Sequence, residues 1–406
     1  MQNYNQTLEW MFNRLPMYQR DGKSALEFKL DKTYSWLDHL ENPHYKFKSI
    51  HVGGTNGKGS CSHMLTSILM EEGYQVGMYT SPHLVDFRER IRTNSDMCSE
   101  EFVMAFISTH KDYILGHALS FFEITVGMAF SYFADQNVDI AVIEVGMGGR
   151  LDSTNVITPL ISIITTIGLD HQAFLGDTLE KIAHEKAGII KSNIPVIIGN
   201  IQEETERVFQ TKAEEQNAPI YWASDTPSEF KSDLKGIYQV FNINTVVTAI
   251  DVLNKHSEFS ISTKAVRDGL QKVVANTEIQ GRWQWLKDNI VCDTAHNIDG
   301  LQFVFKQLSN QKYDNLYIVF GMVKDKNIDD ILALLPKKAH YYFAAPKINR
   351  ALPALELFGH SKRFDLKGEC CSSVTDAYHK ALLNAGKSDL IFIGGSTFVV
   401  AEVLLD

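Results

Sequence analysis

The glycine-rich segment GTNGKGS, residues 54–60, combines the residue types that a phosphate-binding loop needs. A short β-rich run, residues 48–52, precedes it, and a helical pattern extends from Lys58 to Gly73. Glycines let backbone amides approach phosphate groups, and a helix N-terminus adds a favourable dipole. We expect Lys58 to contact the β- and γ-phosphates of a nucleotide and Ser60 to face a magnesium ion. A glycine-rich turn with a solvated lysine is the alternative.

Three later segments contain further side chains that could bind metal or phosphate. Glu144 directly follows the apolar run VDIAVI, residues 138–143. The carboxyl end of a buried strand is where open α/β sheets bind ligands. TSPHL, residues 80–84, follows another strand-like run, and residues 165–191 contain His171 and Lys186. A solvated Glu144, a core His171 and a solvated helical Lys186 are the alternatives that the residues alone leave open.

The elements that must position these side chains alternate between strand-like and helix-like from about Ile50 onward, with buried-strand runs such as residues 160–168. The alternation breaks at ANTEIQGRW, residues 275–283, and then restarts. Such alternation predicts mainly parallel sheets with helices on both faces. We therefore predict the α/β class, with a large P-loop ATPase domain over residues 1–278 and a smaller C-terminal Rossmann-like α/β domain over residues 279–406.

The composition is that of an ordinary globular protein and argues against several classes of function. A chain of 406 residues exceeds the size of one hydrophobic core, so two domains are expected. The net charge of −10 argues against general nucleic-acid binding. Five cysteines without a C-x-x-C pattern, a polar start and the lack of a bilayer-length apolar run predict a cytoplasmic protein without a membrane partner.

The loop GTNGKGS has one more glycine between its lysine and its serine than the usual G-K-[S/T] ending. With this spacing it resembles the ATP loop of the Mur ligase superfamily and, within it, the folylpolyglutamate synthase and dihydrofolate synthase family. TSPHL, EVGMGGRLDSTN and residues 165–191 resemble segments of the same family. The resemblance runs from about Glu41 to the C-terminus. Residues 15–40, which help to shape the folate site in relatives, are only loosely similar.

The resemblance implies that the large domain binds ATP and two magnesium ions. Ser60, Ser81 and Glu144 match metal-binding positions, and His171 matches a ligand of the second ion. Lys186 matches the lysine that carries a carbamate, which removes a positive charge from the metal site. The expected catalytic residues are Lys58, Lys186 and His171. The expected nucleotide contacts in the loop are Gly54, Thr55, Asn56, Gly57, Lys58, Gly59 and Ser60.

Further nucleotide contacts are implied by three short segments between residues 236 and 300. In GIYQVFNIN, Asn242 matches a position near the adenine, although a helix N-cap is an alternative role. In QGRW, Arg282 matches a phosphate contact. In CDTAHNIDG, Asp293 matches the ribose contact and His296 a contact on the phosphate side. The chain departs from the family pattern at Tyr238, Gln280, Thr294 and Ile298.

The implied reaction joins L-glutamate to the carboxylate of a folate or of dihydropteroate at the expense of ATP. The substrate carboxylate attacks the γ-phosphate, and the amine of glutamate then attacks the acyl phosphate. No protein nucleophile is required, and the sequence contains neither a G-x-S-x-G motif nor a persuasive Cys–His pair. We expect a monomeric ATP-dependent acid–amino-acid ligase with tetrahydrofolylpolyglutamate synthase activity, alone or together with dihydrofolate synthase activity.

Four other functions remain as alternatives. The chain could be a dihydrofolate synthase only, or another Mur-type amino-acid ligase, although little room precedes the loop for an additional substrate domain. A GTPase switch would need N-K-x-D, and NKHS, residues 254–257, lacks the aspartate. An inactive nucleotide-binding paralogue is favoured by the departures at Tyr238, Thr294 and Ile298 but opposed by the presence of Lys58 and Glu144.

Overall fold

Two α/β units, each with its own sheet, make up the protein, and the predicted α/β class is confirmed. The computed structural model describes residues 3–17, 29–223, 228–324 and 326–406, so part of the loosely similar segment 15–40 lies outside the described residues. The first unit contains Met1–Gly168, Gln172–Asp233 and Val240–Glu278; the second contains Leu169–His171, Leu234–Gln239 and Ile279–Asp406. Two short segments of the predicted first domain thus belong to the second unit, and the roles of the two predicted domains stay a prediction.

An eight-stranded sheet lies at the centre of the first unit. Its strands are β1 Lys48–Gly53, β2 Val76–Tyr79, β3 Ile91–Thr93, β4 Asp96–Met97, β5 Ile140–Glu144, β6 Ile161–Ile164, β7 Val196–Ile198 and β8 Ile220–Trp222. They are ordered β4-β3-β2-β5-β1-β6-β7-β8, with β1 parallel to both β5 and β6, and with β3 antiparallel to its neighbours. β5 is buried along its whole length, as expected for a strand of a parallel sheet.

Several helices of the first unit begin after a residue whose side chain accepts a hydrogen bond from an amide of the first turn. Ser120, for example, forms a capping box with Glu123, whose carboxylate accepts the Ser120 amide at 2.8 Å. The helices are α1 Tyr4–Arg14, α2 Asp31–His39, α3 Lys58–Glu72, α4 Glu100–Gly116, α5 Phe121–Asp135, α6 Gln172–Leu175, α7 Leu179–Ala187, α8 Glu203–Glu215, α9 Gln239–His256, which belongs to this unit from Val240 on, α10 Thr263–Gln271 and α11 Val273–Thr277. None of the helices in the described ranges is both long and apolar enough to cross a membrane.

Close packing of α10 against α3 depends on a glycine. A Cβ atom added at Gly269 would lie 2.5 Å from the Cα atom of Ile68, and the hydroxyl of Ser67 donates to the Gly269 carbonyl at 2.6 Å. Real Cβ atoms do not approach backbone atoms so closely, so the two helices can come together here only because Gly269 has no side chain. This contact supports the helix that begins at the glycine-rich loop.

The second unit contains a six-stranded sheet. Its strands are β9 Gln284–Lys287, β10 Ile290–Cys292, β11 Leu316–Phe320, β12 His340–Phe343, β13 Lys367–Cys370 and β14 Leu390–Gly394. Their order is β13-β12-β11-β14-β10-β9, and all neighbours are parallel except β9 with β10. The helices that flank this sheet are α12 Ile298–Ser309, α13 Ile328–Leu334, α14 Ala354–Ser361, α15 Val374–Asn384 and α16 Thr397–Leu404.

Candidate active site

The central strands of the first unit bring three segments to one edge of the sheet. Val52 of β1 pairs with Glu144 of β5, and Gly53 pairs with Ile164 of β6. Because parallel strands end at the same edge, the glycine-rich loop, Glu144 and the segment after β6 are neighbours. This is the arrangement that the sequence predicted for a ligand site at the carboxyl ends of the strands.

The loop between β1 and α3 has two glycines that no other residue could replace without strain. Gly54 has φ +139° and Gly57 has φ +89°. A Cβ atom at Gly54 would lie 1.9 Å from the Thr165 hydroxyl oxygen, and one at Gly57 would lie 2.4 Å from Asn242 Oδ1. Asn242 is buried and packs against the start of α3, so the structure brings it to the loop.

Two lysines converge on the carbonyl group of Gly54. Lys58 Nζ donates to the Gly54 oxygen at 3.1 Å and to the Thr55 oxygen at 3.2 Å. Lys186 Nζ, from α7, donates to the same Gly54 oxygen at 2.8 Å, and its residue is only 4% exposed. Two ammonium groups that share one acceptor form a strongly positive site, which suits a polyphosphate.

The amides of the loop are used in two different ways. Thr55 N donates to the Thr166 carbonyl at 2.7 Å, and Asn56 N donates to the Thr166 hydroxyl at 3.1 Å. Helical hydrogen bonding begins with Cys61 N, which donates to Gly57 O at 2.8 Å. The amides of residues 57–60 therefore precede the first helical bond, and these are the groups that a helix N-terminus offers to an anion.

Glu144 and the TSPHL segment meet at the neighbouring strand end. The Ser81 amide donates to Glu144 Oε2 at 3.0 Å, and Glu144 is 4% exposed. Carboxylates and serine hydroxyls are hard oxygen donors of the kind that Mg²⁺ prefers, and Mg²⁺ usually keeps several water or phosphate ligands. No group of three or more His, Cys, Asp or Glu side chains with metal-binding geometry occurs in the described parts of the chain. A single carboxylate such as Glu144 fits an ion that takes its other ligands from phosphate and water.

The turn after Glu144 is ordered by Asp152, which sequence reasoning missed. Its carboxylate accepts the Met147 amide at 2.9 Å and both the amide and the hydroxyl of Thr154, at 3.0 and 2.5 Å. Since that hydroxyl donates to Asp152, it accepts from Nε2 of the buried His51 at 2.9 Å. Burial raises the pKa of Asp152, and its hydrogen bonds oppose the rise.

In the second unit, His171 and His296 lie around a second unpredicted carboxylate, Asp170. His296 Nε2 lies 3.3 Å from Asp170 Oδ2, and Nζ of Lys326 donates to Oδ1. The His171 amide also donates to Oδ1, at 2.7 Å, from a residue with φ +51°. Burial alone would raise the pKa of Asp170, but the hydrogen bond from His296 and the charges of His171 and Lys326 hold it well below its usual value. Its position directly before His171 is the one feature of the sequence that could have indicated Asp170 as a site residue.

Asp293 of the second unit is 2% exposed and has three donors. Oδ2 accepts from the Tyr238 hydroxyl at 2.7 Å and from the Trp283 amide at 2.8 Å, while Oδ1 accepts the Ala295 amide at 2.8 Å. Burial raises its pKa, and the bond from Tyr238 opposes the rise. Nearby, the Arg282 guanidinium donates to the Thr294 hydroxyl. The departures at Tyr238 and Thr294 thus supply partners for two of the predicted site residues.

Comparisons with known proteins match this organisation. A family model described as the Mur ligase middle domain matches residues 52–266, and one described as the Mur ligase glutamate ligase domain matches residues 281–397. Together these models match more than half of the chain, and the class of protein is a Mur ligase. The predicted enzyme class, an ATP-dependent ligase, is confirmed.

The relatives narrow the class further. Dihydrofolate synthase/folylpolyglutamate synthase of Bacillus subtilis is 31% identical over 98% of this chain and 98% of its own length. The structure of E. coli FolC in complex with DHPP and ADP has a TM-score of 0.86 at 27% identity, covering 99% of this chain and 97% of that one. A bifunctional folylpolyglutamate synthase/dihydrofolate synthase with Mn, AMPPNP and L-glutamate bound has a TM-score of 0.85 at 26% identity, covering 100% and 98%. The chain belongs to the folylpolyglutamate synthase/dihydrofolate synthase family.

Proposed function

We propose that this protein adds L-glutamate to the carboxylate of a folate at the expense of ATP, through an acyl phosphate. The observation that carries the proposal is the convergence of Lys58 and Lys186 on the Gly54 carbonyl, beside a buried Glu144 at the next strand end. The relatives described with ADP, AMPPNP and L-glutamate support it. A site with paired lysines and a carboxylate suits a magnesium–nucleotide complex.

We assign nucleotide contacts to the loop residues Gly54 to Ser60 in two groups. The amides of residues 57–60 and the ammonium of Lys58 face the phosphates, while Gly54, Thr55 and Asn56 shape the loop around them. We propose two magnesium ions, with Ser60, Ser81 and Glu144 as metal ligands and His171 as a ligand of the second ion. Magnesium would neutralise phosphate charge there, and the Ser81 amide, which donates to Glu144, holds that carboxylate at the strand end.

We propose contacts of the second unit with the nucleotide through Arg282, Asp293 and His296, and a contact of Asn242 near the adenine. A carboxylate has about four acceptor positions, and three of those on Asp293 are already used, so one position remains for a ribose hydroxyl. The positive charge of Arg282 suits a phosphate oxygen. Alanine variants at these positions should raise the KM for ATP, measured by ADP release.

A carbamate on Lys186 is a finer part of the proposal. The buried ammonium shares an acceptor with Lys58, and like charges this close disfavour each other. The neutral amine reacts with carbon dioxide to give a carbamate and a proton, which replaces the repulsion by attraction to Lys58. Carbon-13 NMR of protein equilibrated with labelled bicarbonate tests this. A carbamate signal lost in Lys186→Arg supports it, and an unchanged spectrum contradicts it.

The reaction then needs positioning and charge neutralisation but no protein nucleophile. The substrate carboxylate oxygen attacks the γ-phosphorus and ADP leaves; the glutamate amine next attacks the acyl carbon, and phosphate leaves with the bonding electrons. Lys58 holds the phosphate end in place, whereas an anionic carbamate on Lys186 would act on it only through a magnesium ion. Preorganised charges of this kind account for much of the rate in phosphoryl transfer.

Incubation with ATP, Mg²⁺ and glutamate, followed by mass spectrometry, distinguishes the activities. A glutamate increment on a reduced folate alone indicates a folylpolyglutamate synthase, on dihydropteroate alone a dihydrofolate synthase, and on both a bifunctional enzyme. The relatives with double names favour the bifunctional outcome. The absence of both a glutamate increment and ADP release would contradict the proposal. We also propose a monomeric cytoplasmic enzyme without nucleic-acid or membrane partners, which size-exclusion chromatography and cell fractionation test.

A further inference from the structure

The segment that follows β6 is hydrogen-bonded to the glycine-rich loop. Thr165 N donates to Gly53 O at 2.9 Å and so continues the strand pairing by one residue. Two residues beyond Thr166, the Gly168 amide donates to the Thr55 hydroxyl at 3.0 Å. The loop is therefore tied to a neighbouring strand end along most of its length before any ligand is considered.

Threonine hydroxyls bond to both backbone polar groups of Asn56, its amide and its carbonyl. The Asn56 amide donates to Thr166 Oγ1 at 3.1 Å. The Asn56 carbonyl accepts from Thr165 Oγ1 at 2.6 Å and from Thr166 Oγ1 at 3.1 Å. The Thr166 hydroxyl thus acts as donor and acceptor at once, which a methyl group in its place could not do.

We propose that Thr165 and Thr166 are positioning residues for the phosphate-binding loop, an inference that rests on the proposed nucleotide site. Glycines at positions 54 and 57 leave the loop with many accessible conformations. The threonine side chains, stiff at χ1, select the conformation in which the amides of Thr55 and Asn56 face β6 and those of residues 57–60 lie at the N-terminal end of α3. Ordering the loop in advance lowers the entropic cost of binding ATP.

The test compares Thr166→Val, which keeps the shape, with Thr166→Ser, which keeps the hydroxyl. Thr248→Val is the matched control, because Thr248 is half-buried in the same unit and its hydroxyl donates to the Asn244 carbonyl of its own helix at 2.9 Å. Amide hydrogen exchange of residues 53–57 is measured without nucleotide, and the KM for ATP and kcat are measured with it. Thr165→Val and Thr165→Ser repeat the comparison at the second threonine.

We expect Thr166→Val to speed exchange of the Asn56 amide about tenfold or more and to raise the KM for ATP by a similar factor, with a smaller change in kcat. Thr166→Ser and Thr248→Val should behave like the wild type. Equal losses in the valine and serine variants, or an unchanged valine variant, would overturn the inference. A wild-type protein that binds no ATP would instead contradict the proposed function, since the exchange comparison does not depend on nucleotide.

Discussion

The glycine-rich loop of the first unit and the Asp170 cluster of the second unit are built by opposite means. The loop contains no buried carboxylate: its backbone carbonyls and amides bond to threonine hydroxyls and strand backbone, and two lysines donate to one of its carbonyls. The Asp170 cluster depends on a buried carboxylate that holds Lys326 and His296. Sterically specified sites tolerate changes of charge better than changes of volume, whereas buried ion pairs tolerate neither partner's removal.

This difference also decides how each region is encoded. The loop is one contiguous segment of the sequence, in which both positions with positive φ, 54 and 57, are glycine. The Asp170 cluster joins residues 170, 296 and 326, which are far apart in the chain. Local fit is therefore visible in a sequence, and a charge cluster becomes visible only when the fold brings its members together.

Asp170→Asn should have the largest effect on stability. It leaves the nearly buried Lys326 without its carboxylate, and breaking a buried pair in this way costs about 3–5 kcal/mol. Urea unfolding measures the loss. Asp329→Asn is the matched control in the same unit, because Asp329 pairs with His360 and Arg363 at the surface, and it should leave the midpoint nearly unchanged. Equal midpoints for the two variants would show that the cluster is not held by charge.

Gly57→Ala should have the next largest effect, and it should fall on activity. Its Cβ atom would meet Asn242 Oδ1 at 2.4 Å and displace the start of α3, and such misplacement lowers kcat/KM about 100-fold. Gly73→Ala is the control for backbone strain alone, because Gly73 has φ +101° but nothing lies within 4 Å of its Cβ position. We expect Gly73→Ala to lose some stability and to keep its activity. Full activity in Gly57→Ala would contradict the close fit of the loop.

Gly269→Ala extends the steric comparison to the helix behind the loop. Alanine normally stabilises a helix relative to glycine by up to about 1 kcal/mol, but here overpacking against the Ile68 backbone should destabilise the protein by about 1–3 kcal/mol. Gly359→Ala, inside α14 with nothing within 4 Å, should show the normal sign. We expect the two substitutions to change the free energy of unfolding in opposite directions. A change in the same direction for both would mean that α10 and α3 can separate without cost.

The sequence predicted the strand–loop–helix around Lys58 and the alternation of two sheets, because both follow from local residue patterns. It did not predict Thr165 or Thr166, whose partners in the loop are brought to them by the pairing of β1 with β6. Nor did it predict Asp152, whose partners Met147 and Thr154 lie within five residues of it in the turn after β5. Nor did it assign Leu169–His171 to the second unit. A segment of only three residues that belongs to another unit does not differ in composition from its neighbours, so the sequence does not reveal it.

The roles predicted for individual site residues depend on partners that spacing cannot show. Asp293 was expected to be available to a ribose, yet three donors of its own unit surround it. One of them is Tyr238, where the family usually has histidine, so a departure that weakened the resemblance proves to complete a hydrogen-bond set. Residue identity at a motif position therefore has to be judged with its contacts.

Two buried histidines of the first unit predict a gradual dependence of stability on pH. Burial lowers the pKa of His51 from 6.5 to about 3, and burial lowers that of His44 to about 4. Below pH 6.5 these histidines bind protons in the unfolded chain but stay neutral in the folded protein. Stability therefore falls as the pH drops from 6.5 towards 4. Each histidine contributes at most about 1.4 kcal/mol per pH unit. His51→Gln, in which the amide nitrogen can still donate to Thr154, should make the urea-unfolding free energy less steep over this range. Parallel curves for variant and wild type would show that His51 is protonated in the folded protein.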